Sequence, residues 1–456
     1  MSKIQISGVN NSNDYVELIR MFVPADDIID VASQIILPED LLNPAEKKEE
    51  IKKYIYNILH NRTGKSLKWG TLTGVKPLKL YNNILARRTQ DYQKDEARQI
   101  LKREYLVEDS KIKLLENIYV RQKKVLEAPK KNQVAVYIGI PFCPTRCTYC
   151  SFTSNQKDQQ EIKRYLTALY KEMDYVSKEM VKSGLTAETI YVGGGTPTTL
   201  TADELKSLVQ QIKTQIPAEK GFEFTVEAGR PDTIDEEKLE VLRKNGVERI
   251  SINPQTMKEK SLRMIGRDHT TKEIVKAFEM ARNIGFDVVN TDLIAGLPGE
   301  NEEDFKNTLN EIAKFDPENV TVHTLALKKS SKLVEKLMDA GEELTVENDN
   351  RAENMVECAK DFLQKRKYMP YYIYRQKYMV DNLENVGYAK EGTECVYNIR
   401  IMEEKQTIIA MGAGGSTKMY FPEEDRIERI FNVSNYEIYI ERIDEMIKRK
   451  SDKLFT

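Results

Sequence analysis

From about Gln133 to Leu327 the chain alternates short apolar runs with longer amphipathic ones, the pattern of repeated βα units that build a parallel sheet. The apolar runs are Val134–Ile140, Thr189–Val192, Phe222–Val226, Arg249–Ile252, Val288–Ile294 and Val320–Leu325. Helix starts lie between them. Thr201-Ala-Asp-Glu204, Thr233-Ile-Asp-Glu236 and Thr270-Thr-Lys-Glu273 read as capping boxes, and Gly246 and Gly285 fall where left-handed C-caps belong. Six such units in about 195 residues are too few for a closed eight-fold barrel, so the pattern predicts a partial (β/α)6 barrel with one side open.

The flanks read differently. Residues 1–130 form an expected α+β accessory region, with strand-like runs such as Tyr15–Phe22 and later helical patterns at Pro44–His60 and Lys111–Leu126. Trp69, the sole tryptophan, stands in a turn-rich segment and reads as a buried anchor. The barrel is expected over residues 131–330. Residues 331–456 form a C-terminal α+β extension: a helix over Thr345–Arg366, aromatic strands around Pro370–Tyr378, and a capped helix starting near Ser434.

Composition narrows the classes. The 456 residues carry a formal net charge of -2, which gives no global basic field for nucleic acid. No stretch approaches the ~20 apolar residues of a membrane span, and no signal-peptide core opens the sequence. Three of the five cysteines share one loop, which fits a reducing compartment; the cytoplasm is expected.

That loop carries the candidate chemistry. Cys143, Cys147 and Cys150 follow the first apolar run with Cys-x3-Cys-x2-Cys spacing, and three thiolates on a short loop suit an iron–sulfur cluster. A structural zinc site wants four closed ligands, and a disulfide framework wants an even count. Three ligands leave one iron of a cubane open. Unusual residues also collect at the following strand ends, where chemistry gathers in parallel folds. They are Gly193-Gly194-Gly195-Thr196, Glu227, Gln255, Arg267 and Asp292. A glycine triplet alone is more often a turn, and Glu227 with Arg267 could be a structural ion pair. Together the set suits a zwitterionic ligand carrying a ribose.

In this order the motifs resemble the radical SAM superfamily, specifically the oxygen-independent coproporphyrinogen III oxidase group. The resemblance runs from about Gln133 to the C-terminus through the cysteine loop, Gly193–Pro197, Val226-Glu-Ala228, Asn253-Pro-Gln255, Gly266-Arg267 and Asp292–Pro298. It implies that Cys143, Cys147 and Cys150 hold a 4Fe-4S cluster whose fourth iron binds S-adenosylmethionine (SAM). Tyr137, Phe152, Gly193, Gly194, Gly195, Thr196, Glu227, Gln255, Arg267 and Asp292 would complete the SAM site. Reductive cleavage of SAM would give a 5′-deoxyadenosyl radical that takes hydrogen from a tetrapyrrole, the group's reaction being decarboxylation of coproporphyrinogen III propionates to vinyls. A flavodoxin- or ferredoxin-type electron donor is implied. The same machinery could instead methylate or open a porphyrin ring, or serve a haem-binding protein.

Three departures stand out. Phe152 replaces a further cysteine, Tyr137-Ile-Gly-Ile-Pro141 replaces Tyr-x-His-Ile-Pro, and Tyr397–Met402 replaces a His-Asn-x-x-Tyr-Trp motif of haem-trafficking relatives. His323 is a candidate proton donor or haem ligand, though a core histidine is the plainer reading. Lys328, Lys329, Arg375 and Lys377 are candidate contacts for carboxylates. Cys358 and Cys395 read as packing and an inert thiol.

Overall fold

The computed structural model describes residues 13–23, 27–38, 41, 47–74, 76–86, 93–126, 129–150, 155–327, 332–339, 350–377 and 379–455. The six apolar runs become six strands: β1 (Gln133–Ile140), β2 (Thr186–Gly194), β3 (Ala218–Gly229), β4 (Arg249–Ile252), β5 (Val288–Ala295) and β6 (Asn319–Thr324). They pair in parallel and in sequence order. Helices return the chain each time, with Gln159–Lys182 between β1 and β2 and Ala202–Gln215 between β2 and β3. Apolar side chains from these helices and from the strand faces form one continuous core.

Local signals explain the helix starts. Thr201 and Thr270 each complete a reciprocal capping box. The third box is a correction. Asp235, not Thr233, caps Glu236–Lys244 by accepting from Lys238 N, because the Thr233 hydroxyl bonds Arg230 O and Thr198 Oγ1 instead. Gly285, at φ +84°, caps the helix Thr271–Ile284 as expected.

The C-terminal region extends the same sheet. β7 (Met369–Tyr374) and β8 (Asn385–Ala389) add antiparallel beyond β6, while β9 (Ile408–Met411) pairs parallel with β1 and leads to β10 (Ser416–Phe421) and β11 (Arg426–Phe431). The order is β11-β10-β9-β1-β2-β3-β4-β5-β6-β8-β7, an open sheet whose end strands do not meet. Residues of β1 to β3, β5 to β7 and β9, with Asn253 and Gln255 just after β4, line one cavity, so the sheet curves around it without closing.

The strand expected at Tyr15–Phe22 is instead part of a helix, Asn13–Arg20, and its turn. Tyr15, Leu18, Ile19 and Phe22 are all buried, a spacing of three, four and seven that belongs to a helix rather than a strand. This helical region is pinned to the sheet through polar bonds. Trp69 Nε1 donates to Glu384 Oε2 at 2.7 Å, and Lys111 Nζ to Glu384 Oε1 at 2.6 Å. Trp69 is therefore the anchor its sequence setting implied.

A second buried hub fixes the other flank. Glu172, on the helix Gln159–Lys182, accepts from Gly412 N, Asn432 Nδ2, Tyr439 Oη and Lys450 Nζ. Lys450 and Glu172 side chains are both fully buried, so removing either leaves an uncompensated charge. Glu172→Ala is expected to cost about 3–5 kcal/mol of stability, read as a lowered denaturant midpoint. A shift no larger than that of an exposed substitution would contradict this role.

Candidate active site

The site begins where β1 and β2 end. Gly195 N donates to Ile140 O and Thr196 N to Phe142 O, both at 2.7 Å, stitching the glycine turn to the start of the cysteine loop. A Cβ on Gly195 would lie 2.4 Å from Phe142 O and 3.0 Å from Cys143 Sγ, so only glycine permits this approach. Gly194, at φ +117°, is equally constrained by Ile140 O. The amides of Gly195 and Thr196 are committed to the loop and that of Gly194 to Glu227, which leaves the turn with acceptor capacity. Gly193 does not line the cavity; it makes room for Glu227 and Tyr191, whose atoms a Cβ would meet at 2.9 Å.

The cysteine loop is braced from three sides. Cys143 N donates to Asn155 O, and Thr148 N to Ile265 O. Arg230 Nη1 reaches Thr145 Oγ1 at 2.7 Å and Cys147 Sγ at 3.9 Å. Cys143 Sγ lies 3.4 Å from Thr196 Oγ1, and burial pushes its thiol up to about 11, so metal loading there must displace a proton. All three thiols line one cavity of about 590 Å³. Among the described residues no three Cys, His, Asp or Glu groups converge on a single ion. A cubane holds its irons at separate corners and wants thiolates spread more widely than one ion does. Phe152 lies outside the described residues.

Beyond the thiols the strand ends contribute as the spacing implied. Tyr137, Glu227, Gln255, Arg267 and Asp292 all line the cavity. Glu227 is half-buried; desolvation pushes its carboxyl up to about 7, opposed by the Tyr191 phenol donating at 2.7 Å and abetted by Asp292. Asp292 is also half-buried, yet His323 and Asn290 hold it below the usual carboxylate value. Arg267 donates to Asn253 O and to Tyr149 Oη, and its Nε has no partner. Gln255 sits at φ +71° with its amide N bound to Asp292 O and its buried Oε1 unpartnered.

Other candidates fall elsewhere. His323 is engaged at both ring nitrogens, by Asp292 at 3.5 Å and by Tyr374 Oη at 3.1 Å. Arg375 is buried against Leu72 O and Asn382, and Lys377 pairs with Glu17; neither lines the cavity. Lys328 and Lys329 lie outside the described residues. Cys395 is buried, its thiol pushed up by burial while it donates to Glu223, which fits an inert role. The sequence reading missed Tyr191 and Tyr397, whose rings stack 4.5 Å apart in the cavity wall, and Arg230. Arg230 was signalled only by its place at the end of β3.

The donor set fits a cluster with a polar organic ligand beside it: three thiols, a glycine turn a Cβ would fill, and orphaned polar atoms on Gln255 and Arg267. Such a site, on an open parallel sheet, defines a protein that pairs a sulfur-ligated cluster with a bound small molecule. A family model for the radical SAM superfamily matches residues 137–312. The oxygen-independent coproporphyrinogen-III oxidase-like protein HemZ of Bacillus subtilis is 40% identical over 406 residues, covering 87% of this chain and 79% of that protein. The heme chaperone HemW of the same organism is 33% identical over 281 residues, covering 61% and 69%. Coproporphyrinogen III oxidase (HemN) from Escherichia coli, described as a radical SAM enzyme, shares the fold with a TM-score of 0.56 at 22% identity, over 71% of this chain and 72% of that one. The chain belongs to the radical SAM superfamily, in its HemZ-like, coproporphyrinogen III oxidase-related group, and this family uses a 4Fe-4S cluster and SAM. Among the described residues no helix is long and apolar enough to cross a membrane.

Glu227 makes the ligand-free protein pH-sensitive. Its folded pKa lies above the ordinary 4.5, so the folded state binds more protons and loses stability as pH rises through about 7. Up to about 3 kcal/mol should disappear across that window, and Glu227→Gln should flatten the profile. An unchanged profile in the variant would contradict the burial argument.

Proposed function

We propose that this protein is a radical SAM enzyme that takes hydrogen from a tetrapyrrole, and that its reaction is oxidative decarboxylation of coproporphyrinogen III propionates to vinyls. The observation that carries the reading is one cavity bordered by the three thiols at one part and by Tyr372, Tyr374 and Tyr397 at another. A ligand held against the cysteine loop and a second, largely apolar one against the phenol wall would share that space.

In this reading Cys143, Cys147 and Cys150 hold the cluster. The acceptor-rich turn at Gly194–Thr196 and the Glu227 carboxylate receive the SAM ammonium, while Gln255 and Arg267 meet its polar groups with their unpartnered atoms. Tyr137 and Asp292 flank the remainder, Asp292 as a hydrogen-bond acceptor for ribose hydroxyls. Cluster and SAM together supply hydrogen-abstracting radical chemistry after one-electron reduction by a flavodoxin- or ferredoxin-type donor. The chain's own work is to orient both ligands and exclude water. Binding a cationic ammonium beside Glu227 favours its ionised form, so ligand binding near pH 6 releases a proton. The substrate loses a hydrogen atom from a propionate side chain, then carbon dioxide and one electron to an acceptor, leaving the vinyl group.

The likeness to a heme chaperone supports a haem-trafficking alternative, but His323, with both nitrogens engaged, is poorly placed to ligate haem iron. The test is anaerobic incubation of reconstituted protein with coproporphyrinogen III, SAM and reductant, followed by mass spectrometry. The expected products are 5′-deoxyadenosine and a tetrapyrrole lighter by carboxyl groups. A methyl gain would instead indicate ring modification, and tight haem binding without turnover would favour trafficking. Gly195→Ala should lose SAM cleavage at least tenfold, because its Cβ collides with the loop backbone.

A further inference from the structure

The geometry points to Arg230 as a fixed cation that sets the reduction potential of the cluster through Cys147, with Asp232 holding it in place. The inference rests on the cluster reading above and adds a tuning residue to it. Arg230 is 2% exposed, and its guanidinium is fully directed. Nε and Nη2 grip both oxygens of Asp232, at 3.0 and 2.7 Å, in the bidentate fork that carboxylates favour. Nη1 donates to Thr145 O at 3.0 Å and Thr145 Oγ1 at 2.7 Å, and lies 3.9 Å from Cys147 Sγ. Thr145 stands between Cys143 and Cys147, so the same nitrogen braces the loop and faces a ligand sulfur.

Backbone geometry locks the arrangement. Arg230 O accepts from Thr233 N and Thr233 Oγ1, Thr198 Oγ1 reaches Thr233 Oγ1 at 2.6 Å, and Gly229 turns the chain at φ +46°. His269, also buried, backs Asp232 at 3.4 Å. A buried arginine is retained only where its charge is matched, and here Asp232 matches it without displacing it from the sulfur.

Reduction adds one negative charge to the cluster. A buried cation and a hydrogen bond at a ligand sulfur stabilise the reduced form and raise the potential, while a nearby carboxylate lowers it. Neutralising Arg230 and neutralising Asp232 should therefore move the potential in opposite directions. A role in holding the loop alone predicts no such opposition.

The experiment is an EPR-monitored redox titration of reconstituted wild type, Arg230→Gln, Arg230→Lys and Asp232→Asn, with iron and sulfide content measured on each sample. At a fixed applied potential Arg230→Gln should lower the ratio of reduced to oxidised cluster about tenfold, equivalent to ~59 mV for one electron. Asp232→Asn should raise the ratio, since Thr145 still holds the guanidinium. Arg230→Lys, which keeps charge but loses the fork, should fall between wild type and Arg230→Gln. If Arg230→Gln fails to retain a cluster, the lysine and asparagine variants decide the matter. Midpoints that do not move, or that move the same way in the Arg230 and Asp232 variants, overturn the assignment. Absence of iron and sulfide from wild type would instead sink the cluster reading itself.

Discussion

The close approach of the β2 end to the β1 end is the constraint on which the site depends. Two backbone bonds of 2.7 Å, from Gly195 to Ile140 and from Thr196 to Phe142, fix the glycine turn against the first residues of the cysteine loop. Because the donors are backbone amides, the turn cannot drift without breaking bonds that burial makes expensive to lose. Cys143 then stands beside Thr196, and Glu227 on the next strand reaches back to the Gly194 amide. Three adjacent parallel strands thus deliver thiol, backbone acceptor and carboxylate to one point, each from its C-terminal end.

Stability and site are coupled through the flanks. Glu172 holds the Gly412 amide, and Tyr165 Oη donates to Gly139 O while accepting from Ala413 N. The glycine run after β9 is thereby clamped to β1 one residue before Ile140. On the other side Glu384 takes bonds from Trp69 and Lys111, while its carbonyl accepts from Thr324, a cavity-lining residue at the end of β6. An open sheet would otherwise be free to flatten. Buried polar bonds, from the first crossover helix on one side and from the N-terminal helical region on the other, hold both halves of the curve.

How much of this was readable depended on the range of the interactions. β1 to β6 were legible because each is a short apolar run bounded by capping residues, and their end residues were legible because charges inside apolar strands are conspicuous. The helix at Asn13–Arg20 was misread since β-branched and aromatic residues outweighed its three-and-four spacing. Thr233 was misread because its hydroxyl serves a contact with Thr198 far away in sequence. That β8 joins β6 at one edge of the sheet and β9 joins β1 at the other follows from long-range pairings such as Asn319 with Ala389 and Ala135 with Ile408, for which no local pattern exists. Tyr397, on the helix Val396–Glu403, also reaches the cavity by long-range packing, and the sequence marked it only as the start of a departure from a haem-trafficking motif.

The charges in the cavity are ordered rather than scattered. Arg230 and Arg267 both lie against Cys147, so the cysteine-loop end carries fixed positive charge. Glu227 and Asp292 stand further along the strand ends, the first only partly ionised near pH 7 because desolvation raises it and the second kept ionised by His323. Past them the wall turns phenolic, and the one lysine that lines the cavity among the described residues, Lys418, is paired with Glu404. A cation entering such a gradient is drawn to the carboxylates and repelled from the guanidinium end, while its own carboxylate prefers the opposite sense. A zwitterion therefore has one favourable direction in which to lie. The phenol wall, lacking an uncommitted cation among its described residues, offers flat apolar faces rather than a charge partner to whatever lies against it.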